Sequence, residues 1–84
     1  MTLSRVALVT GASSGFGQAT AALLAAQGFQ VFGTSRTPAH NTTGSFELLP
    51  LDVDSEASVQ TCIQKILERT GRIDLLVNNA GFAL

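Results

Sequence analysis

Tyrosine and tryptophan are absent from these 84 residues, and cysteine occurs once. A lone cysteine cannot close an internal disulfide, so a reducing, cytoplasmic compartment is expected. Charge is scarce as well: charged residues make up 13% of the chain, and five basic against six acidic residues leave a net charge of −1. Nucleic-acid binding needs a clustered basic face, and none is available here. No apolar run approaches the roughly 20 residues of a membrane-spanning helix, so no membrane partner is expected either. The opening stretch MTLSRVALVTGAS is too short in apolar residues for a secretory signal. Asn41-Thr42-Thr43 matches an N-glycosylation sequon by chance, inside a polar loop. The single histidine, His40, has no companions at metal-ligand or triad spacing.

What is abundant is apolar surface, at 45% of residues. A domain this small buries only about 60 to 65% of its unfolded surface, so the excess is expected to be covered by further protein. Four apolar runs alternate with two helical patterns. Val6 to Val9 is continuous, as in a parallel strand buried on both faces. Gly15 to Gln27 is rich in alanine and leucine and predicts a helix, with Phe16, Ala19, Leu23 and Ala26 as its buried face. Gly28 ends it, and Phe29 supplies the hydrophobic contact of that cap. Phe29 to Thr34 is a second strand. Phe46 to Leu51 is a third, weakened by Pro50. Asp54 is the expected N-cap of a helix over Ser55 to Thr70 whose stripe is Val59, Cys62, Ile63, Ile66 and Leu67. Cys62 is therefore a core residue. Gly71 caps that helix, and Ile73 to Val77 is the fourth strand. This order predicts an α/β fold, a doubly wound parallel sheet of the Rossmann type, with strand order 3-2-1-4 and the two helices on opposite faces.

Between the first strand and first helix lies TGASSGFG, Thr10 to Gly17. Glycines at such a junction let a ligand approach the backbone, and the helix start offers free N–H groups suited to phosphate. A plain tight turn is the alternative. The spacing is not the G-x-G-x-x-G fingerprint, because Thr20 stands where the last glycine belongs. Nor is it a Walker loop, since no Gly-Lys-Ser/Thr follows.

Thr10 to Gly17 matches T-G-x-x-x-G-x-G in full, Leu51-Asp52-Val53 follows the third strand, and Asn78-Asn79-Ala80-Gly81 follows the fourth. In these three stretches the chain resembles the short-chain dehydrogenase/reductases along its whole length. The resemblance implies that Gly11, Ser13, Ser14, Gly15, Phe16 and Gly17 wrap the pyrophosphate of a nicotinamide dinucleotide. It implies that Asp52 meets the adenine amino group with Val53 beside it, and that Asn78, Ala80 and Gly81 line the cleft. A turn-capping role for Asp52, and satisfaction of the sheet's end by Asn78 and Asn79, are the structural alternatives. At the end of the second strand an acid would favour NAD. The sequence instead reads Thr34-Ser35-Arg36. Arg36 can fork onto a phosphate and Ser35 can add a hydroxyl, so NADP is expected over NAD.

Catalysis in that family uses a serine, a tyrosine and a following lysine. This chain has no tyrosine, and its only lysine, Lys65, lies in the second helical pattern. Residues 1–84 are thus expected to be the N-terminal part of a dinucleotide-binding domain without its catalytic half. Alone they should be inactive. The parent enzyme, in some cases a homo-oligomer, would move a hydride between NADP(H) and a small carbonyl or alcohol. A non-catalytic dinucleotide-binding module is the rival expectation.

Overall fold

The run Val6–Val9 forms strand β1, and its four residues are all buried because it lies inside the sheet with a neighbour on either side. The computed structural model describes residues 4–13, 15–36 and 45–79. Within them, β2 (Gln30–Ser35), β3 (Glu47–Pro50) and β4 (Leu75–Val77) complete one four-stranded sheet of order β3-β2-β1-β4. All three pairings are parallel, with Val6 opposite Gln30, Ala7 opposite Leu75 and Phe32 opposite Glu47. Strand alternation then divides the core. Val6 and Leu8 join Phe32, Leu49, Leu51, Cys62 and Ile66 on one face. Ala7 and Val9 join Ala12, Ala21, Val31 and Leu48 on the other. Helix α1 (Gly15–Ala26) covers the second face and α2 (Glu56–Thr70) the first. The doubly wound arrangement expected from the sequence is therefore present.

The phase of α1 differs from expectation. Phe16 is 86% and Leu23 59% exposed, while Gly17 and Ala21 are buried and Leu24 and Ala25 pack against the core. Small residues let the helix axis come close to the sheet, and that contact turns the whole expected face, Phe16, Ala19, Leu23 and Ala26, outward. The C-terminus follows expectation: Gly28 N–H donates to Ala25 O and Phe29 N–H to Leu24 O, both at 3.1 Å, the paired bonds of a Schellman cap. Phe29 packs beside Leu24 on the core.

In α2 the cap shifts by one residue from the expected Asp54. Ser55 is the N-cap: its extended backbone places Oγ to accept from Ser58 N–H at 3.2 Å. Cys62 and Ile66 are buried, Val59 and Ile63 pack beside them, and Leu67 remains exposed. Gly71 closes the helix in the left-handed conformation, its N–H donating to Leu67 O.

β4 is shorter than the expected Ile73 to Val77, although Asp74 already ties it to β1: its N–H donates to Val6 O at 2.8 Å, its Oδ2 accepts from Val6 N–H at 2.7 Å, and Arg72 forks its carboxylate. Pro50, which has no ladder donor, sits at the end of the edge strand β3. Among the described residues no helix is long and apolar enough to cross a membrane.

Candidate functional site

The glycine-rich turn is held against the sheet by backbone chemistry. Ala12 is fully buried and its N–H donates to Thr34 O at 2.8 Å, which hangs the loop on β2. Gly33 makes this possible: a Cβ there would lie 2.6 Å from the Ala12 Cβ and 2.9 Å from the Phe46 ring. Gly17 serves the helix in the same way. Its Cβ would lie 2.1 Å from Gly11 O and 2.8 Å from Asn79 Nδ2, so the first turn of α1 rests directly on the loop carbonyl. Gly15 is different. It has φ +62°, and a Cβ there would meet nothing within 4 Å. The space above Gly15 is open, next to the unpaired N–H groups that every helix start presents.

The end of β4 is tied to the same loop. Thr10 Oγ1 accepts from Asn79 N–H at 2.8 Å, and Asn79 Nδ2 donates to Gly11 O at 3.3 Å. Thr10 Oγ1 also lies 3.2 Å from Asn78 Oδ1. Polar satisfaction of the sheet's end is thus realised at Asn79, which secures the loop carbonyl that Gly17 approaches.

Beyond β3, Leu51 N–H donates to Ser35 O at 2.9 Å, carrying the pairing one residue past the strand. Asp52 then organises a turn. Its Oδ1 accepts from Asp54 N–H at 3.0 Å, its carbonyl accepts from Ser55 N–H, and its own N–H donates to Ser58 Oγ. The turn-capping role of Asp52 is therefore present, and its Oδ2 has no partner among the described residues.

These segments meet across a cleft of about 310 Å³ lined by Gly11 and Ser13, by Thr34, Ser35 and Arg36, and by Leu51, Val53 and Asp54. The expected residues Gly11, Ser13, Ser35, Arg36 and Val53 come together there, with Gly15, Phe16 and Gly17 at the adjoining helix start. Asn78 lies apart, in a more apolar hollow of about 210 Å³ shared with Leu51, Val53 and Leu76. Ser14, Ala80 and Gly81 lie outside the described residues. Thr34 and Asp54 are cleft residues that sequence reasoning missed, the first because a threonine in a strand reads as β-propensity alone. Arg36 and Asp54 carry the charges on the cleft wall. Arg36 is exposed and has no ion pair among the described residues, whereas Arg69 and Arg72 are both paired. No cluster able to hold a metal ion occurs among the described residues. Burial pushes the Cys62 thiol pKa up, which keeps it in the protonated, unreactive form.

A strand–glycine turn–helix unit on a parallel sheet of order 3-2-1-4, with a cleft across the carboxyl ends of the strands, defines a Rossmann-type doubly wound protein. The family model for short chain dehydrogenases matches residues 5–84, and the chain belongs to that family. It is similar to the 3-ketodihydrosphingosine reductase of Bacteroides thetaiotaomicron, at 45% identity over 95% of this chain and 29% of that protein. It is also 42% identical to the 3-oxoacyl-(acyl-carrier-protein) reductase of Escherichia coli, over 92% of this chain and 34% of the relative. Among solved structures, the ligand-free aldohexose dehydrogenase of Thermoplasma acidophilum superposes with a TM-score of 0.85 at 32% identity, covering 98% of this chain and 31% of that one. The chain thus spans about a third of the length of the relatives it matches.

Proposed function

We propose that the cleft binds NADP(H), and that residues 1–84 are the N-terminal, cofactor-holding part of the dinucleotide-binding domain of an oxidoreductase acting on a ketone or alcohol. The two curated relatives are by name reductases of a 3-keto and a 3-oxo compound, which supports a ketone as the substrate class. The observation that carries the cofactor reading is the cleft that brings the Gly11–Ser13 turn together with the end of β2. Open space lies above Gly15 at the start of α1, and the cleft wall carries an exposed Arg36 with no ion pair among the described residues.

Gly11, Ser13, Ser14, Gly15, Phe16 and Gly17 hold the pyrophosphate, since the helix start donates N–H groups and favours negative charge. Ser35 and Arg36 take the 2′-phosphate, which a guanidinium can meet with two parallel bonds. Asp52 Oδ2, which has no partner among the described residues, and the backbone of Val53 receive the adenine edge, while Asn78, and with it Ala80 and Gly81 of the same motif, are assigned to the nicotinamide side. When bound, the cofactor supplies or accepts the hydride. The residues of this chain bind and orient it.

Replacing Arg36 by Ala tests the phosphate assignment. A charge-assisted bond contributes about 1.5–3 kcal/mol, so NADPH affinity is expected to fall about 10- to 100-fold while NADH affinity stays level. An unchanged NADPH/NADH ratio sinks the assignment. The 84-residue chain is proposed to bind without turnover, as it contains no tyrosine. Ketone reduction by the chain that Gly15→Val abolishes would overturn that part.

A further inference from the structure

We propose that Thr34 is a further binding residue of this cleft, its hydroxyl hydrogen-bonding the adenosine portion that NADH and NADPH share. The inference rests on the dinucleotide reading and adds a contact to it. Thr34 is 1% exposed, and its Oγ1 is a buried side-chain atom with no hydrogen-bond partner among the described residues. An unsatisfied buried hydroxyl is a standing free-energy cost, and native structures rarely leave one without a partner.

The surroundings restrict where that partner can come from. The backbone of Thr34 is fixed in β2 opposite Leu49, and its carbonyl is taken by Ala12 N–H at 2.8 Å. A β-branched side chain on a fixed strand has little freedom at χ1, so the hydroxyl cannot swing far. Strand alternation places it on the face of Phe32, which packs among Leu49 and Leu51. These neighbours offer no side-chain acceptor. Thr34 also borders the 310 Å³ cleft, between the Gly11–Ser13 turn and the Leu51–Val53 wall. The missing partner therefore belongs to whatever fills the cleft.

The chemistry of the spot selects the part of the ligand. One neutral hydroxyl beside apolar walls suits a purine ring nitrogen or a ribose hydroxyl. A phosphate needs cationic or multiple N–H donors, and these lie elsewhere, at Arg36 and at the helix start. The Thr34 contact is accordingly indifferent to the 2′-phosphate, in contrast to the contact of Arg36.

Calorimetric titration of the chain with NADPH, NADH and 5′-AMP separates these roles. Thr34→Val removes the hydroxyl at nearly constant shape and is expected to weaken all three ligands about three- to tenfold, leaving the NADPH/NADH ratio unchanged. Thr34→Ser keeps the hydroxyl and should bind within about twofold of the unmodified chain. In the absence of ligand, Thr34→Val should melt at the same temperature or higher, because the hydroxyl it removes has no partner among the described residues. A lower melting temperature would overturn the inference, as would unweakened binding or a loss confined to NADPH. If the unmodified chain binds none of the three, the cofactor reading fails and this inference with it. Normal binding by both the unmodified chain and Thr34→Val defeats the inference alone.

Discussion

Gly15 and Gly17 sit two residues apart in the same turn, and they are glycine for different physical reasons. At Gly15 the backbone has φ +62° with free space around the missing Cβ. At Gly17 the backbone is helical, and the missing Cβ would collide with a carbonyl oxygen at 2.1 Å. Gly15→Ala should thus cost about 1–2 kcal/mol of left-handed strain and leave the fold intact. Gly17→Ala must push α1 off the loop and break the Asn79 Nδ2 contact with Gly11 O, so it should cost more than Gly15→Ala by chemical denaturation. Equal losses would show that the helix can slide away from the loop without penalty. The spacing of the glycines made the loop legible in the sequence. It could not say which glycine faces open space and which faces the protein, because both demands select the same residue. Asp52 is similar: its position after β3 was legible, but its bond to Asp54 N–H depends on the turn that α2 imposes.

At the scale of elements, the strands and the C-terminal caps were legible because each rests on local chemistry. Gly28 and Gly71 end helices where left-handed residues are needed, and the apolar run Val6–Val9 is what a strand buried on both faces requires. The phase of α1 was not legible. Alanines and leucines surround that helix on every side, so periodicity gives no preferred face. What fixes the face is a tertiary contact, Gly17 against Gly11 O, and a sequence window cannot see it. In α2 the polar residues Gln60, Gln64, Lys65 and Glu68 lie between the apolar positions, and the buried stripe came out as expected except at Leu67. The cap of α2 fell on Ser55 rather than Asp54 because Asp54 N–H is drawn to Asp52 Oδ1, which commits residue 54 to the preceding turn. The exposed Phe16 and Leu23, and Leu76 at 58% exposure on the β4 edge, are where the unusual apolar content of the chain resides.

Across the whole molecule, one forked ion pair joins α2 to β3, and a second, local one orients a carboxylate that ties β4 to β1. Arg69 of α2 grips Glu47 of β3 with two bonds of 2.8 Å and lies over the Phe32 ring, 5.1 Å from its centre. Asp74 is forked by Arg72 and accepts from Val6 N–H, pinning the start of β4 to the start of β1. The guanidinium of Arg69 holds the Glu47 carboxyl below its usual pKa. Arg72 first, and then the Val6 N–H, does the same for Asp74. A carboxyl that is more acidic folded than unfolded binds fewer protons in the native state, so stability rises with pH across its titration. The stabilisation is complete above the ordinary carboxylate range and is lost as pH falls through the lowered native values. Thermal unfolding should hence be nearly independent of these groups down to about pH 5 and should weaken progressively below about pH 4. Both pairs are partly exposed, so the effect is modest and shrinks with added salt. Asp74→Asn should make the acid limb shallower, and by more than Glu47→Gln, because only Asp74 also secures a backbone N–H of the central strand. An acid limb equally steep in Asp74→Asn and the unmodified chain would show that some other carboxylate governs acid unfolding.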